Sequence, residues 1–231
     1  MGTQAGAGEH RNVRNVRDWL HGLEAFAGPL AEFDPAAAPA DPVELFLDWL
    51  RDAVAAGVPD PHAVTVSTVD TQDRPDARVQ ILRNVDAAGW QFAANAESPK
   101  GRQLQARPDA ALTFYWPTRG RQVRVRGPVF PEPAERSAAD LLARSPGARA
   151  EVLLGRQSSH LASIEERDDA LREALSQITS NPALVTPSWT LYTLVPTQTE
   201  FWQADKDRNH TRLRYERPDR DSPWQRHLLW P

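Results

Sequence analysis

Hydrophobic positions along the chain change their period twice. Over Pro42–Gly57 they recur at helical spacing, with Val43, Phe46, Leu47, Leu50 and Val54 predicted to line one face. Asp41 supplies an N-cap, Pro42 the first helical position and Glu44 the capping-box acid, while Gly57 closes the helix. From residue 63 apolar and polar residues alternate. Five runs read as strands: Ala63–Val69, Ala77–Val85, Trp90–Asn95, Ala110–Trp116 and Gln122–Phe130. Turn residues at Asp70–Pro75, Asp86–Gly89 and Pro117–Gly120 separate them. Between the third and fourth runs, Ser98-Pro99-Lys100-Gly101-Arg102-Gln103-Leu104 reads as a short helix capped by serine. Helical spacing returns over Ala134–Ala143. It returns again after the capping box Ser163-Ile164-Glu165-Glu166, with Leu171, Ala174, Leu175 and Ile178 predicted to face inward. Strands resume at Trp189–Val195 and Glu200–Gln203, and Leu213–Tyr215 with Trp224–Trp230 forms a closing pair.

Most connections between strands are too short for crossover helices, so the sheet is expected to be mainly antiparallel. Five or six such strands with one lasting apolar face close into a small barrel. The predicted fold class is α+β, an antiparallel barrel with helices around it. Ahead of it, residues 1–12 read as a tail, and Val13–Phe33 carries Val16, Trp19, Leu20, Leu23 and Phe26 as a short amphipathic docking segment. A stiff linker, DPAAAPADP, follows at 34–42. The expected division is an arm at 1–40 and one domain at 41–231 with a helical insert at about 133–180.

Composition narrows the chemistry. The chain has 231 residues, 40% apolar and 25% charged, as an ordinary globular protein does. Its net charge of −4 provides no global attraction to nucleic acid or anionic membrane, so any anion site is local. The absence of cysteine excludes disulfides and thiolate chemistry and fits a cytoplasmic location. No apolar run is long enough to span a bilayer. The six histidines lack metal-ligand spacing, so no metal is expected. There is no Gly-rich phosphate loop, no GxGxxG and no GxSxG elbow.

Several residues stand out instead. In Arg78-Val79-Gln80-Ile81-Leu82-Arg83, alternation puts Arg78, Gln80 and Leu82 on one face and Arg83 on the other. Lys100 lies in the first turn of a predicted helix, where backbone N–H groups and the positive dipole end suit a phosphate. Gln122, Arg124 and Arg126 share a strand face, and Gln157-Ser158-Ser159-His160 offers amide and hydroxyl groups in a loop. After Phe201 and Trp202 and a polar turn, Arg208, His210, Arg212 and Arg214 recur at every second position. In an extended segment those four share one face and repel unless an anion or carboxylate lies among them. On the pattern alone two readings stand level: an anion site, or an edge strand whose arginines pair with Glu216, Asp219 or Asp221. Singly, each of these residues fits a solvated surface. Together they suit a phosphorylated ligand with a planar, hydrogen-bonding ring.

Taken in order, DPVELFLDWL, RVQILR, SPKGRQL, FYWP with RQVRV after it, RQSS, EFWQ and RNHTRLRY resemble the pyridoxamine 5′-phosphate oxidase family of FMN-binding split barrels. The resemblance runs from about Asp41 to Pro231. It implies a homodimer with FMN in the groove between subunits. It implies that Arg78 and Lys100 hold the FMN phosphate, with Val79, Gln80, Ile81, Leu82 and Arg83 beside it. Gln122, Gln157 and Ser158 would lie along the flavin, and Trp202 and Arg212 would complete the site from the partner subunit. Arg208 and His210 match the family's Arg-x-His on the substrate side and are the implied catalytic pair; Arg83 and Arg144 would help bind substrate.

The chain also departs from the family pattern. Arg83 replaces a lysine, Ala93-Ala94 a Tyr-Thr pair, and Pro99-Lys100 an Arg-Lys pair. Where members acting on the vitamin phosphate use tyrosine, arginine and serine, the alignment places Asp140, Arg144 and Ala148. An aspartate repels a phosphate and alanine cannot donate to one. The implied function is an FMN-dependent oxidase that passes hydride from a small anionic aromatic or amine substrate to flavin and on to O2, giving H2O2. A dihydrophenazine-like carboxylate is the favoured substrate. Pyridoxine or pyridoxamine 5′-phosphate is the alternative, and a flavin carrier or sensor without turnover is the rival of another class.

Overall fold

Asn15 accepts from the N–H groups of Arg17 and Asp18 and so opens a short helix, α1 (Val16–His21). The structure is a computed structural model, and it describes residues 15–231. The predicted tail and Val13 lie outside the described residues. The apolar positions foreseen on the arm divide. Val16, Trp19, Leu20 and Leu23 are exposed, whereas Phe26 packs against the body. Helix α2 (Pro42–Ala55) starts at Asp41, whose carboxylate accepts the Val43 N–H at 2.8 Å, and ends before Gly57, whose φ is +69°. Of the predicted stripe, Phe46 is fully buried and Val43, Leu47 and Leu50 pack partly buried against the core, but Leu45, Trp49 and Ala53 complete the buried face and Val54 is exposed. The two aromatics decide the rotation because they carry the largest apolar area on the helix.

The first four strands are β1 (Ala63–Val69), β2 (Pro75–Ile81), β3 (Asn84–Asp86) and β4 (Gly89–Asn95). The run expected as one strand over Ala77–Val85 therefore breaks at Leu82–Arg83. Leu82 N–H still bonds His62 O beside β1, but Arg83 N–H bonds Gln91 O, so the chain changes partner there. Helix α3 (Pro99–Ala106) is capped by Ser98, whose Oγ accepts the Gly101 N–H. Two longer strands, β5 (Asp109–Trp116) and β6 (Arg121–Pro131), lead into α4 (Ala134–Leu142), α5 (Pro146–Leu153) and α6 (Ile164–Ser180). Helix α5 goes beyond the sequence reading. It uses the same Ser-Pro start as α3, with Ser145 Oγ accepting from Ala148 N–H. Strands β7 (Trp189–Leu194), β8 (Gln198–Gln203), β9 (Thr211–Glu216) and β10 (Gln225–Leu228) complete the chain.

All pairings are antiparallel, in the order β10-β9-β8-β6-β5-β1-β2, with β4 joined to β6 through β7 and β3 on the edge of β4. Strand β6 makes this a split, curled sheet. It pairs with β8 over Arg121–Arg126 and then with β7 over Val129–Pro131. At the switch stands Gly127, where a Cβ would come within 2.1 Å of Val195 O. Inward residues of seven strands and the aromatic face of α2 form one core, with Phe46 against Trp90, Phe114 and Trp116 and Trp49 against Phe201. Strand β4 is buried on both faces, because Ala93 packs outward with Leu141, Val152, Trp189 and Leu191. The insert helices thus cover the outside of β4 and β7. On α6, Ala174 and Ile178 are buried, but Leu175 is exposed, contrary to expectation. No described helix is long and apolar enough to cross a membrane.

Candidate active site

Where β2, β4, α3 and the α5–α6 loop meet, they enclose a cavity of about 540 Å³. Lys100 stands in its wall, 4% exposed, and its Nζ donates to Gln157 Oε1 at 3.1 Å. Among the described residues no carboxylate pairs with it, and burial, followed by the nearby charge of Arg78, lowers its pKa to about 8. A buried cation held only by a neutral amide calls for an anion. Gly101 lets α3 start hard against β4, for a Cβ there would sit 2.3 Å from Ala96 O. Gln80 Oε1 is buried in the same cavity without a hydrogen-bond partner. Arg78, close enough for its charge to act on Lys100, is not part of the cavity lining; it donates to Thr68 Oγ1 at 2.7 Å and to Val66 O at 3.3 Å and pairs with Asp76.

The strand break sets the second feature. Arg83 leaves β2 there and donates its Nε to Asp140 Oδ1 at 2.7 Å. Asp140 Oδ2 accepts from Trp189 Nε1 at 2.9 Å, and the Arg144 guanidinium lies 4.7 Å from the centre of that indole. Burial and the charge of Arg83 lower the Arg144 pKa, while Asp140 and Glu151 oppose them. Arg83, Arg144 and Trp189 all line the cavity.

The remaining predicted residues occupy another place. Gln122 pairs with Trp202 and Trp202 with Arg212 across β6, β8 and β9, on the sheet face opposite the core. Arg212 is held by Glu200 at 2.8 Å, and the same buried carboxylate takes Arg124 at 2.9 Å. The carboxylate among the strand arginines is therefore Glu200, joined by the foreseen Glu216, which pairs with Arg214 at 3.1 Å. The four-residue alternation is also corrected. Arg208 has φ +64° and sits in a turn, so only Arg212 and Arg214 share a strand face. That turn is built by Asp205, whose Oδ1 accepts the N–H groups of Asp207 and Asn209. His210 Nδ1 accepts the Asp205 N–H at 3.0 Å, which leaves the ring proton on Nε2. Phe26 of the arm rests on both rings, with centroids 5.7 Å from Trp202 and 5.9 Å from His210.

Among the described residues, no hydrogen bond or ion pair joins these two groups within one chain. Within the RVQILR segment, Gln80, Ile81 and Arg83 line the cavity, Val79 turns to the outer face and Leu82 packs toward the core. Gln157 lines the cavity, but it is Ser159 rather than Ser158 that joins it there; Ser158 takes φ +68° in the turn. Trp189, Asn95 and Glu151 belong to the lining and were not singled out from sequence. Their only signal is tertiary: Asn95 and Trp189 meet through the β4–β7 register.

Comparison with known proteins accords with this geometry. Residues 50–181 match the profile of the pyridoxamine 5′-phosphate oxidase family, and residues 189–231 that of the pyridoxine 5′-phosphate oxidase C-terminal dimerisation region. A pyridoxine/pyridoxamine 5′-phosphate oxidase of Paraburkholderia phytofirmans is 39% identical over 202 residues, covering 87% of this chain and 94% of that one. The similarly named protein of Bordetella petrii is 40% identical over 190 residues, 81% of this chain and 88% of the relative. Among solved structures, PhzG from Burkholderia lata 383, in complex with tetrahydrophenazine-1-carboxylic acid, superposes with a TM-score of 0.82 at 29% identity, covering 88% of this chain and all of that one. By profile, sequence identity and fold together, the chain is an oxidoreductase and belongs to the pyridoxamine 5′-phosphate oxidase family.

Proposed function

We propose that the chain is an FMN-dependent oxidase acting on a small, anionic, planar substrate. The observation that carries this reading is Lys100, a buried cation with no carboxylate partner among the described residues, in the wall of a cavity of about 540 Å³. Lys100 and Arg78 suit the FMN phosphate, and the orphaned Gln80 Oε1 suits an N–H of the flavin ring. The chemistry that FMN held by Lys100 and Arg78 would supply is hydride acceptance from substrate and return of two electrons to dioxygen, with hydrogen peroxide as product. The protein's own share is placement and charge. Arg144 receives the substrate's anionic group with the Asp140-paired Arg83 beside it, and from a second copy of the chain His210 donates from Nε2 while Arg208 adds a cation.

Gln122, Trp202 and Arg212 face away from their own chain's cavity, so we further propose a homodimer in which these residues of a second copy complete the site. The exposed Val79, Ile81 and Tyr115 on the same outer face favour self-association, as does the match of residues 189–231 to a dimerisation region. The proposed domain is residues 41–231, preceded in sequence by an arm at 1–40. Its substrate is read as a reduced phenazine-type carboxylate, the class of compound bound in the PhzG complex. The second reading, oxidation of pyridoxine or pyridoxamine 5′-phosphate, is favoured by the names of relatives near 39% identity. Steady-state oxygen consumption by FMN-loaded protein on both substrate types separates them. Efficient turnover of pyridoxine 5′-phosphate sinks the first reading. A yellow protein whose flavin neither substrate reduces under anaerobic conditions sinks both.

A further inference from the structure

Asp140 lies where the cavity meets the helical insert, with its side chain 10% exposed. Both of its oxygens are engaged, one by Arg83 Nε at 2.7 Å and one by Trp189 Nε1 at 2.9 Å. Arg144 stacks on the same indole, and its Nε is buried without a partner. The trio Arg83, Arg144 and Asp140 therefore sums to one positive charge, carried by Arg144. The other ionic groups of the lining change this little. Glu151 is exposed and screened, Arg156 pairs with Glu166 at 3.0 Å, and Arg167 pairs with Asp168 at 2.7 Å. Lys100 is committed to the cofactor phosphate under the reading above, on which this inference rests.

We propose that Asp140 is a specificity-determining residue: by neutralising Arg83 it leaves one free guanidinium, so the site takes the single charge of a ring carboxylate and rejects a phosphate dianion. A carboxylate on Arg144 leaves the trio neutral. A phosphate dianion leaves it one charge negative, and Asp140, whose two oxygens are already taken by Arg83 and Trp189, offers no donor to offset that charge. Trp189 supplies an aromatic face beside the same anion site, which suits a substrate whose carboxylate sits on a planar ring system.

The test is equilibrium binding of pyridoxine 5′-phosphate and of phenazine-1-carboxylate to FMN-loaded Asp140→Asn, an isosteric change that keeps an acceptor for Arg83 or Trp189. The ratio of the two affinities is expected to move toward the phosphate by about ten-fold or more, with the carboxylate changed by less than about three-fold. The double variant Arg83→Gln, Asp140→Asn restores the original charge, and its ratio is expected to return toward that of the unmodified protein. An unmoved ratio, an equal loss for both ligands with a lower melting temperature, or a double variant that behaves like the single one overturns the proposal. Quenching of FMN fluorescence in the same samples separates the two levels. No quenching in the unmodified protein removes the flavin reading itself, whereas quenching with an unmoved ratio removes only the role of Asp140.

Discussion

Replacing Lys100 by methionine should stabilise the flavin-free protein while nearly abolishing flavin binding. The side chain is 4% exposed, and its hydrogen-bond partner is a neutral amide. Burial, then Arg78, brings its pKa from 10.5 to about 8. A shift of that size means the charged form costs the folded state about 3 kcal/mol at neutral pH. The folded pKa lies below the unfolded one, so between about 8 and 10.5 the unfolded chain holds more protons and stability rises with pH. Below about 8 the cost is present in full. Methionine has similar length and no charge. Allowing about 1 kcal/mol for the lost hydrogen bond to Gln157, the variant should gain about 2 kcal/mol at pH 7. It should also lose the rise in stability toward pH 10. FMN affinity should move the other way, falling about 100-fold or more as the phosphate loses a desolvated cation. Urea melts at pH 7 and pH 9.5 give the first result, and quenching of flavin fluorescence gives the second. A variant less stable than the parent at pH 7, or one that binds FMN within about three-fold of it, refutes the reasoning.

Three further outcomes follow from the geometry. Glu200→Ala strips the buried carboxylate from Arg124 and Arg212 and should cost about 2 kcal/mol in urea melts, with Glu200→Gln recovering part of it; an unchanged midpoint would mean that water serves both arginines. Gly101→Ala places a Cβ 2.3 Å from Ala96 O, so α3 must move. A loss of about 1–3 kcal/mol together with weaker FMN binding is expected, and unaltered melting and binding would show that the close approach is relieved elsewhere. Phe26→Ala removes the ring that rests on Trp202 and His210 and should cost about 1 kcal/mol or less. Tryptic cleavage at Arg17 should become faster while the body is cut at its former rate; equal cleavage would place the arm's hold elsewhere.

Strand alternation and capping residues made most elements legible, because both are local. The Ser98 cap, the Asp41 cap and the Ser163 box each satisfy backbone donors within three residues, and all three helices begin where expected. The misreadings share a cause. The run Ala77–Val85 reads as one strand, yet its hydrogen bonds pass from β1 to β4 at Leu82–Arg83; the local mark is a lapse in alternation at Ile81-Leu82, and such a lapse does not name the new partner strand. Likewise the period-two recurrence of Arg208, His210, Arg212 and Arg214 looked like one strand, though the Asp205 turn holds the first two.

The site divides along the same line. Lys100 was legible because a helix start orients it locally, and the residue types for anion binding could be counted from the chain. What the chain order could not supply was which charges meet. Asp140 stands 57 residues from Arg83 and 49 from Trp189, and their contacts exist only because β4 pairs with β7 and the insert folds over both. Sequence by itself determined the starts of α2, α3 and α6, the alternating strands and which cationic and amide side chains were available for an anion. Tertiary structure alone decided that Leu45 and Trp49 join Phe46 on the buried side of α2, the outward face of β6, β8 and β9, and the pairing that, among the described residues, takes Arg83 and leaves Arg144 without a carboxylate. The physical reason is range: caps and alternation act within a few residues, whereas desolvation and ion pairing depend on neighbours that long-range packing brings together.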